Sequence, residues 1–591
     1  MKAIVTIVNR AATPRPASRI LLVAVASATL LPAPAALRAQ EPSETPAPTE
    51  VFVDAVEVNI VNVEVYVTDK DGRRVTGLTK EDFELFEDDR PVGITNFYAV
   101  EDGQPTRRPE EVTPPAAEPR SRDEGAVSDP RFATAPVPED QRLHLIVYFD
   151  NLFLRPFNRN KVIRQVRQFL HDHVTPHDRV MLVTFERTMH VRHPFTKDMR
   201  AIGSELYELE TLSGFAVQAE SARRDILQRI DRSRTAFEAI DHVDYHAKSV
   251  YNDMSMSIAA LKDLVGSLAG LPGRKAILYV CDGIPMTAAQ DLFFLLEQKY
   301  PDNPFGQLQA ARYNGKRLYR ELTARANANR VTFYTLEAVG LRSHSSLSAE
   351  YEGTGGTQLS EGSRAETDFV RSSNLQESLQ VMALDTGGLA AFNTSNFAGA
   401  LANMASDFQS YYSLGYAPAH SGDGRYHDIR VRVKGKGLKV RHRGGYRDKT
   451  SEARVADGTL AALLFGIESN PLAVTVDLAP GRPRDEGHYL VPLVVRIPLG
   501  NLALLPQDER YLGRLRVSIA VIDADDGMSP VEQTPIPIII PAAEIERARS
   551  QYYIYEAELV MRRGYQKVAV GVRDEFAGEN SFVRKPIRIG S

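Results

Sequence analysis

An α/β protein, with a doubly wound and mostly parallel sheet flanked by two β domains, is what this 591-residue sequence predicts. Three observations lead there. Continuous apolar runs at 143–149, 179–185, 275–282 and 330–338 read as strands buried on both faces, and helical patterns separate them. Short segments of alternating polarity fill 51–100 and 455–591, one domain before and one after that core. The chain is also too long for a single hydrophobic core.

The N-terminus is basic and acid-free, with Lys2, Arg10, Arg15, Arg19 and Arg38 as its charges. An apolar run from Ile20 to Leu31 follows, then small residues and prolines to Ala39. This is the pattern of a secretory signal peptide over 1–39, and it predicts export to the periplasm or the exterior. This twelve-residue run is too short to span a bilayer, and no later segment is apolar enough to be a transmembrane helix.

Residues 40–50 are a polar, Pro-rich leader expected to be disordered. Alternation at Val56, Val58, Ile60, Val61, Val63, Val65 and Val67, with turns at Asp69–Gly72 and Asp88–Pro91, predicts a small β domain over 51–100. Eight prolines in 101–140 mark a linker.

The α/β domain is expected over 141–446. Its first helix carries Val162, Ile163, Val166, Phe169 and Leu170 on one face, and 189–195 pairs antiparallel beside the strand at 179–185. Residues 411–418 read as its final strand, and 425–446 as a terminal β-hairpin. From Phe215 to Val265 there is neither Gly nor Pro. Ile226, Ile230, Phe237, Ile240 and Val243 recur there at helical spacing, so a helical insertion is expected at about 215–250. Seven alternating segments then predict an immunoglobulin-like β-sandwich over 455–591.

Three stretches together resemble the exported bacterial von Willebrand factor type A-related proteins: 65–97 (VYVTDKDGRRVTGLTKEDFELFEDDRPVGITNF), the set LHLIVYFD, DRVMLVTFERTMHVRHPFTKD and GRKAILYVCDGIP, and 384–418 with its hairpin. The resemblance covers about 51–446. It implies a ligand-binding domain with a metal-ion-dependent adhesion site at the carboxyl end of the sheet, built from an Asp-x-Ser-x-Ser turn, a Thr and a second Asp around Mg²⁺. Here the turn is Asp150-Asn151-Leu152-Phe153-Leu154, the Thr loop falls near Ser249, and the second Asp is Asp282. Asp150, Asn151 and Asp282 are thus the metal candidates of a degenerate site. Two leucines remove two oxygen ligands, so no functional Mg²⁺ cofactor is expected. The alternative for both aspartates is capping of the helix that follows each strand.

Other chemistry finds less support. Asp385-Thr386-Gly387 matches the short aspartic-protease signature, but that mechanism needs two such aspartates, and Gly387-Gly388 reads as a helix C-cap. His242 and His246 have zinc-compatible spacing without the Glu of a metalloprotease or a third ligand. His171, His173 and His177 read as a solvated helix end. The single Cys281 lies in an apolar strand and reads as a core residue. Net charge is −5 with no large basic block, which argues against nucleic acid as a partner. The expectation is a non-enzymatic, adhesion-type protein that binds a protein or cell-envelope component. The alternatives are an envelope hydrolase with an unrecognised site and a structural assembly component.

Overall fold

The computed structural model describes residues 7–9, 60–101, 104–105, 142–212, 216–302, 306–341, 361–485 and 487–590. The expected signal peptide apart from Ile7–Asn9, the 40–50 leader and nearly all of the 101–140 linker lie outside them. The chain divides into two compact units, 59–467 and 468–591 with 1–58.

The larger unit begins with strands β1 (Val61–Thr68), β2 (Phe83–Glu87), β3 (Arg90–Val92) and β4 (Asn96–Glu101). Asp88 and Asp89, both at positive φ, make the tight β2–β3 turn. The α/β core follows: β5 (Leu143–Asp150), α1 (Pro156–His173), β6 (Arg179–Phe185), β7 (Met189–Thr196), α2 (Met199–Leu209), α3 (Ala216–Arg232), α4 (Ala236–Ser267) and β8 (Arg274–Cys281). It continues with α5 (Gln290–Lys299), α6 (Gly306–Ala311), α7 (Lys316–Ala328), β9 (Val331–Glu337), α8 (Glu361–Asp385), β10 (Ala390–Ala391) and α9 (Phe397–Gln409).

The sheet order is β10-β9-β8-β5-β6-β7, parallel except for β7, which runs antiparallel to β6 as its sequence predicted. Strand alternation divides the core in two. Leu145, Val147 and Phe149 pack under α1, α2 and α9, while Ile146 and Tyr148 face α4, α7 and α8. The chain moves from β5 outward to β6 and then returns to the other side of β5 as β8. Its switch point therefore lies at the carboxyl ends of β5 and β8, where Asp150 and Asp282 stand.

Strands β11 (Tyr411–Tyr416), β12 (Tyr426–Val433), β13 (Lys439–His442) and β14 (Gly445–Arg447) depart from expectation. The segment read as the last strand of the α/β sheet, β11, lies instead between β1 and β4, antiparallel to both. β12 pairs with β2, and β13 with β1. The N-terminal β segment and the strands after α9 thus form a two-sheet β layer that shares one core around Val63, Val65, Leu85, Tyr412, Leu414 and Val431. An apolar run specifies burial but names no partner strand, which is why sequence alone misplaced β11.

Helix α10 (Ser451–Phe465) also enters the span assigned to the C-terminal β domain. The Thr450 hydroxyl caps its start, Gly466 at φ 66° ends it, and Ala461 joins the core beneath α4.

The smaller unit has two antiparallel sheets. One runs Ile7–Asn9, Tyr552–Arg562, His488–Pro498, Thr475–Leu478; the other runs Leu505–Gln507, Arg510–Ile522, Gly564–Asp574, Asn580–Ile589. Val491, Val495 and Leu559 of the first and Val517, Ile538 and Val570 of the second belong to a single hydrophobic cluster.

Candidate functional site

Asp150 ends β5 and is fully buried. Its Oδ2 accepts from Tyr279 Oη of β8 at 2.6 Å and from Ser257 Oγ of α4 at 2.5 Å, and its Oδ1 accepts from the Leu152 backbone N–H at 3.2 Å. Burial drives its carboxyl up to about 6, against those donors. Leu152 and Leu154, which stand where the family has serines, are both buried.

Asn151 turns away. Its amide donates to Glu186 Oε1 at 2.8 Å, and its carbonyl oxygen accepts from the fully buried Arg159 at 3.3 Å.

Asp282 follows β8 and takes a cation from within the chain. Its Oδ2 accepts from Arg155 Nε at 2.9 Å, from the Arg155 backbone N–H at 3.1 Å and from Asn158 Nδ2 at 2.9 Å. Burial raises its carboxyl pKa while Arg155 opposes the shift. Arg155 is the N-cap residue of α1, and Pro156 fixes the first helical position after it, so a local helix start delivers the guanidinium to the switch point.

The three candidates therefore have separate partner sets. Among the described residues, neither Asp150 nor Asp282 joins a group of three His, Cys or acidic side chains with converging ligand atoms. Hydroxyl supply also differs from expectation: Ser257, two helical turns beyond Ser249, reaches Asp150.

Asp282 lines a cavity. The space measures about 490 Å³ and opens beside the switch point, between α3, α4 and α8. Ion pairs line it, among them Arg155 with Asp282, Arg223 with Asp291 at 2.7 Å, and Arg371 with Glu220 at 2.6 Å. Burial alone would raise Glu220, yet Arg371 and Arg223 hold its carboxyl at about 2. His246 also lines the cavity, and burial lowers its pKa.

The helical insertion builds one wall. α3 and α4 pack through Ile226, Ile230, Ala239, Val243 and Ala247 onto Leu292, Phe293 and Leu296 of α5. Phe237, expected on that face, is exposed. Lys299 closes the turn between the two helices by donating to the carbonyls of Ile230, Asp231 and Ser233. None of the three arginine pairs was foreseen. They join residues 68, 127 and 151 positions apart, and no local pattern announces such a pairing.

The remaining sequence candidates have structural roles. Thr386 Oγ1 donates to the Met382 and Ala383 carbonyls and accepts from the Phe333 N–H, which fixes the end of α8 against β9. Gly388 lies so close to that strand that a Cβ would meet the Phe333 carbonyl oxygen at 1.9 Å. Cys281 is buried, and burial lifts its thiol far above the ordinary range, which suits a core residue.

No family model matches this chain, and no curated protein matches it. Among solved structures, it is similar to BatB from Bacteroides thetaiotaomicron, at 15% identity over 45% of this chain and 96% of that one, with a TM-score of 0.20. It is also similar to an aerotolerance-related membrane protein from Bacteroides fragilis, at 12% identity over 45% and 98% of the two chains, with a TM-score of 0.20. A third likeness is to three N-terminal domains of the type V pili tip protein Mfa5 from Porphyromonas gingivalis, at 10% identity over 76% and 70%, with a TM-score of 0.23. Likenesses at these scores leave fold and function to be argued from the residues. Among the described residues, no helix is long and apolar enough to cross a membrane.

Proposed function

We propose that this is an exported, non-enzymatic binding protein of the von Willebrand factor type A-related kind. Its α/β domain would hold a protein or cell-envelope partner at the carboxyl end of the sheet, without a metal ion. One observation carries this reading: the cavity at the switch point is lined by the exposed Leu341, and further exposed apolar side chains stand next to lining residues in sequence. Phe157, Val217, Leu341 and Phe369 are 81%, 50%, 66% and 63% exposed, and each lies within two residues of one that lines the cavity. Exposed aromatic groups around a charged recess suit a protein contact, where they bury large area at small entropic cost. Arg155 supplies on Asp282 the positive charge that a bound ion would otherwise bring. The smaller unit is read as an immunoglobulin-like sandwich that presents the domain.

Capture from an envelope extract, with the full chain and a Phe157→Ala/Phe369→Ala variant, tests the proposal. The expected partner binds equally in EDTA and in Mg²⁺ and is lost from the variant. Equal retention by the variant removes this face from the proposal, and loss in EDTA removes its metal-free character.

One observation favours a second reading, an envelope hydrolase: Asp282, Glu220 and His246 all have displaced pKa values around one cavity. Hydrolysis of an envelope substrate that disappears in Asp282→Asn would establish it.

A further inference from the structure

Within the β layer, two imidazoles and four carboxylates converge from segments more than 300 residues apart. His420 lies in the β11–β12 loop, and His427 in β12. Glu87 ends β2, Asp88 follows it in the turn, Asp423 is in the same loop as His420, and Asp448 follows β14. The two rings stack with centroids 3.9 Å apart.

The hydrogen bonds are asymmetric in an informative way. His420 Nδ1 pairs with Asp448 Oδ2 at 2.9 Å, and His427 Nδ1 pairs with Asp88 Oδ2 at 2.8 Å. His427 Nε2 donates to the Asp423 carboxylate, and each ring has its Nδ1 held by a carboxylate, which in His420 leaves Nε2 as the free lone pair. That is the arrangement metal-binding histidines use. His420 Nε2 makes no hydrogen bond and faces Glu87 Oε2 at 3.4 Å. The other oxygen of Glu87 accepts from Tyr416 Oη at 2.6 Å and Tyr446 Oη at 2.8 Å, so Oε2 is the one left for a ligand. The Asp423 carboxylate lies 3.2 Å from His427 Nε2. Neighbouring ligand atoms around tetrahedral zinc stand about 3.3 Å apart, given bonds of about 2.0–2.1 Å. Converging atoms of Glu87, His420 and His427 lie within 4.8 Å of one another.

We propose that Glu87, His420, His427 and Asp423 form a structural Zn²⁺ site that clips the N-terminal β2–β3 hairpin to the strands after α9. Binding asks the stacked rings to fan apart by rotation about χ2 so that both Nε2 atoms converge, with the His427 Nε2 proton released to solvent as the metal takes its place against Asp423. Charge favours it. Four carboxylates against two imidazoles leave net negative charge even with both rings protonated, and a divalent cation offsets it. The clip also answers a need, since one cysteine permits no intramolecular disulfide. Closing a loop of more than 300 residues is where a cross-link gains most over the unfolded chain.

Zinc titration of the EDTA-stripped full chain by calorimetry, with thermal unfolding in parallel, tests the site. One Zn²⁺ per chain and a raised Tm are expected. His420→Ala and His427→Ala should each weaken binding by at least about 100-fold. Asp448→Asn, which alters the group that orients the His420 ring and holds the Asp423 N–H, should weaken it about tenfold to 100-fold. Absence of stoichiometric zinc, or affinity unchanged in both histidine variants, overturns the proposal. Should those variants fail to fold, anomalous scattering at the zinc edge from crystals of the unmodified chain decides. A peak between His420 and His427 supports the site, and a peak elsewhere or none refutes it.

Discussion

Arg155 reaches Asp282 twice, through its side-chain Nε at 2.9 Å and its own backbone N–H at 3.1 Å, both to the same carboxylate oxygen. One residue therefore neutralises the strand-end aspartate and starts the helix that faces it. This internal cation, with Leu152 and Leu154 buried alongside, makes the switch point self-sufficient.

Arg155→Met should cost about 1–3 kcal/mol, below the usual figure for breaking a buried pair because the arginine is partly exposed. Urea denaturation measures it. Asp282→Asn in the same background should recover part of the loss, since no buried charge is then stranded; an additive double variant would show that the pair is not coupled.

Asp150 gives a pH signature. Its folded carboxyl titrates at about 6, raised from 3.8, so the folded state holds the proton where the unfolded state has released it. Stability attributable to this group is greatest below pH 3.8, falls as pH rises through 3.8 to 6, and is flat above. Asp150→Asn, which removes the buried charge, should therefore be more favourable at pH 7.5 than at pH 4.5 by about 2 kcal/mol. Equal effects at the two pH values would contradict this account.

Asp407 ties the β layer to the α/β core. It is fully buried and accepts from Arg74, from Arg441 at 2.8 and 2.9 Å, and from Tyr334 Oη at 3.2 Å. Asp407→Ala strands two guanidinium groups and should lower stability by about 3–5 kcal/mol. Hydrogen exchange should then show β13 and the end of α9 losing protection together. A loss confined to α9 would mean the layers are coupled elsewhere.

Gly388→Ala should be among the most destabilising single-methyl changes in the chain, because the added Cβ would overlap the backbone carbonyl of Phe333. Expression of soluble protein and its Tm report this directly. A tolerated variant would show that β9 and the turn after α8 move apart easily.

Much of the α/β core was legible in advance. The runs at 143–149, 179–185 and 275–281 are strands, Val162 to Leu170 is the buried face of α1, and the insertion expected at about 215–250 falls on α3 and the first part of α4, which runs on unbroken to Ser267. These are local signals, since period and continuity follow from burial on one or two faces. The errors lie where partners are chosen. β11 is as apolar as a parallel strand but pairs with β1 and β4, and 451–465, assigned from residue 455 onward to the C-terminal β domain, is a capped helix. Phe237 fits the helical spacing yet faces solvent, because the small side chains Ala239 and Ala247 make the closer seam.

The sequence by itself determined that Asp150 and Asp282 stand at strand ends and that Leu152 and Leu154 cannot supply oxygen ligands. Those are properties of residue identity and of strand periodicity. Only the tertiary structure decided what each carboxylate meets: Tyr279 and Ser257 for one, Arg155 and Asn158 for the other. It likewise brought His420 and His427 to Glu87 across more than 300 residues. Long-range pairing depends on which surfaces pack, and short-range pattern does not encode that choice.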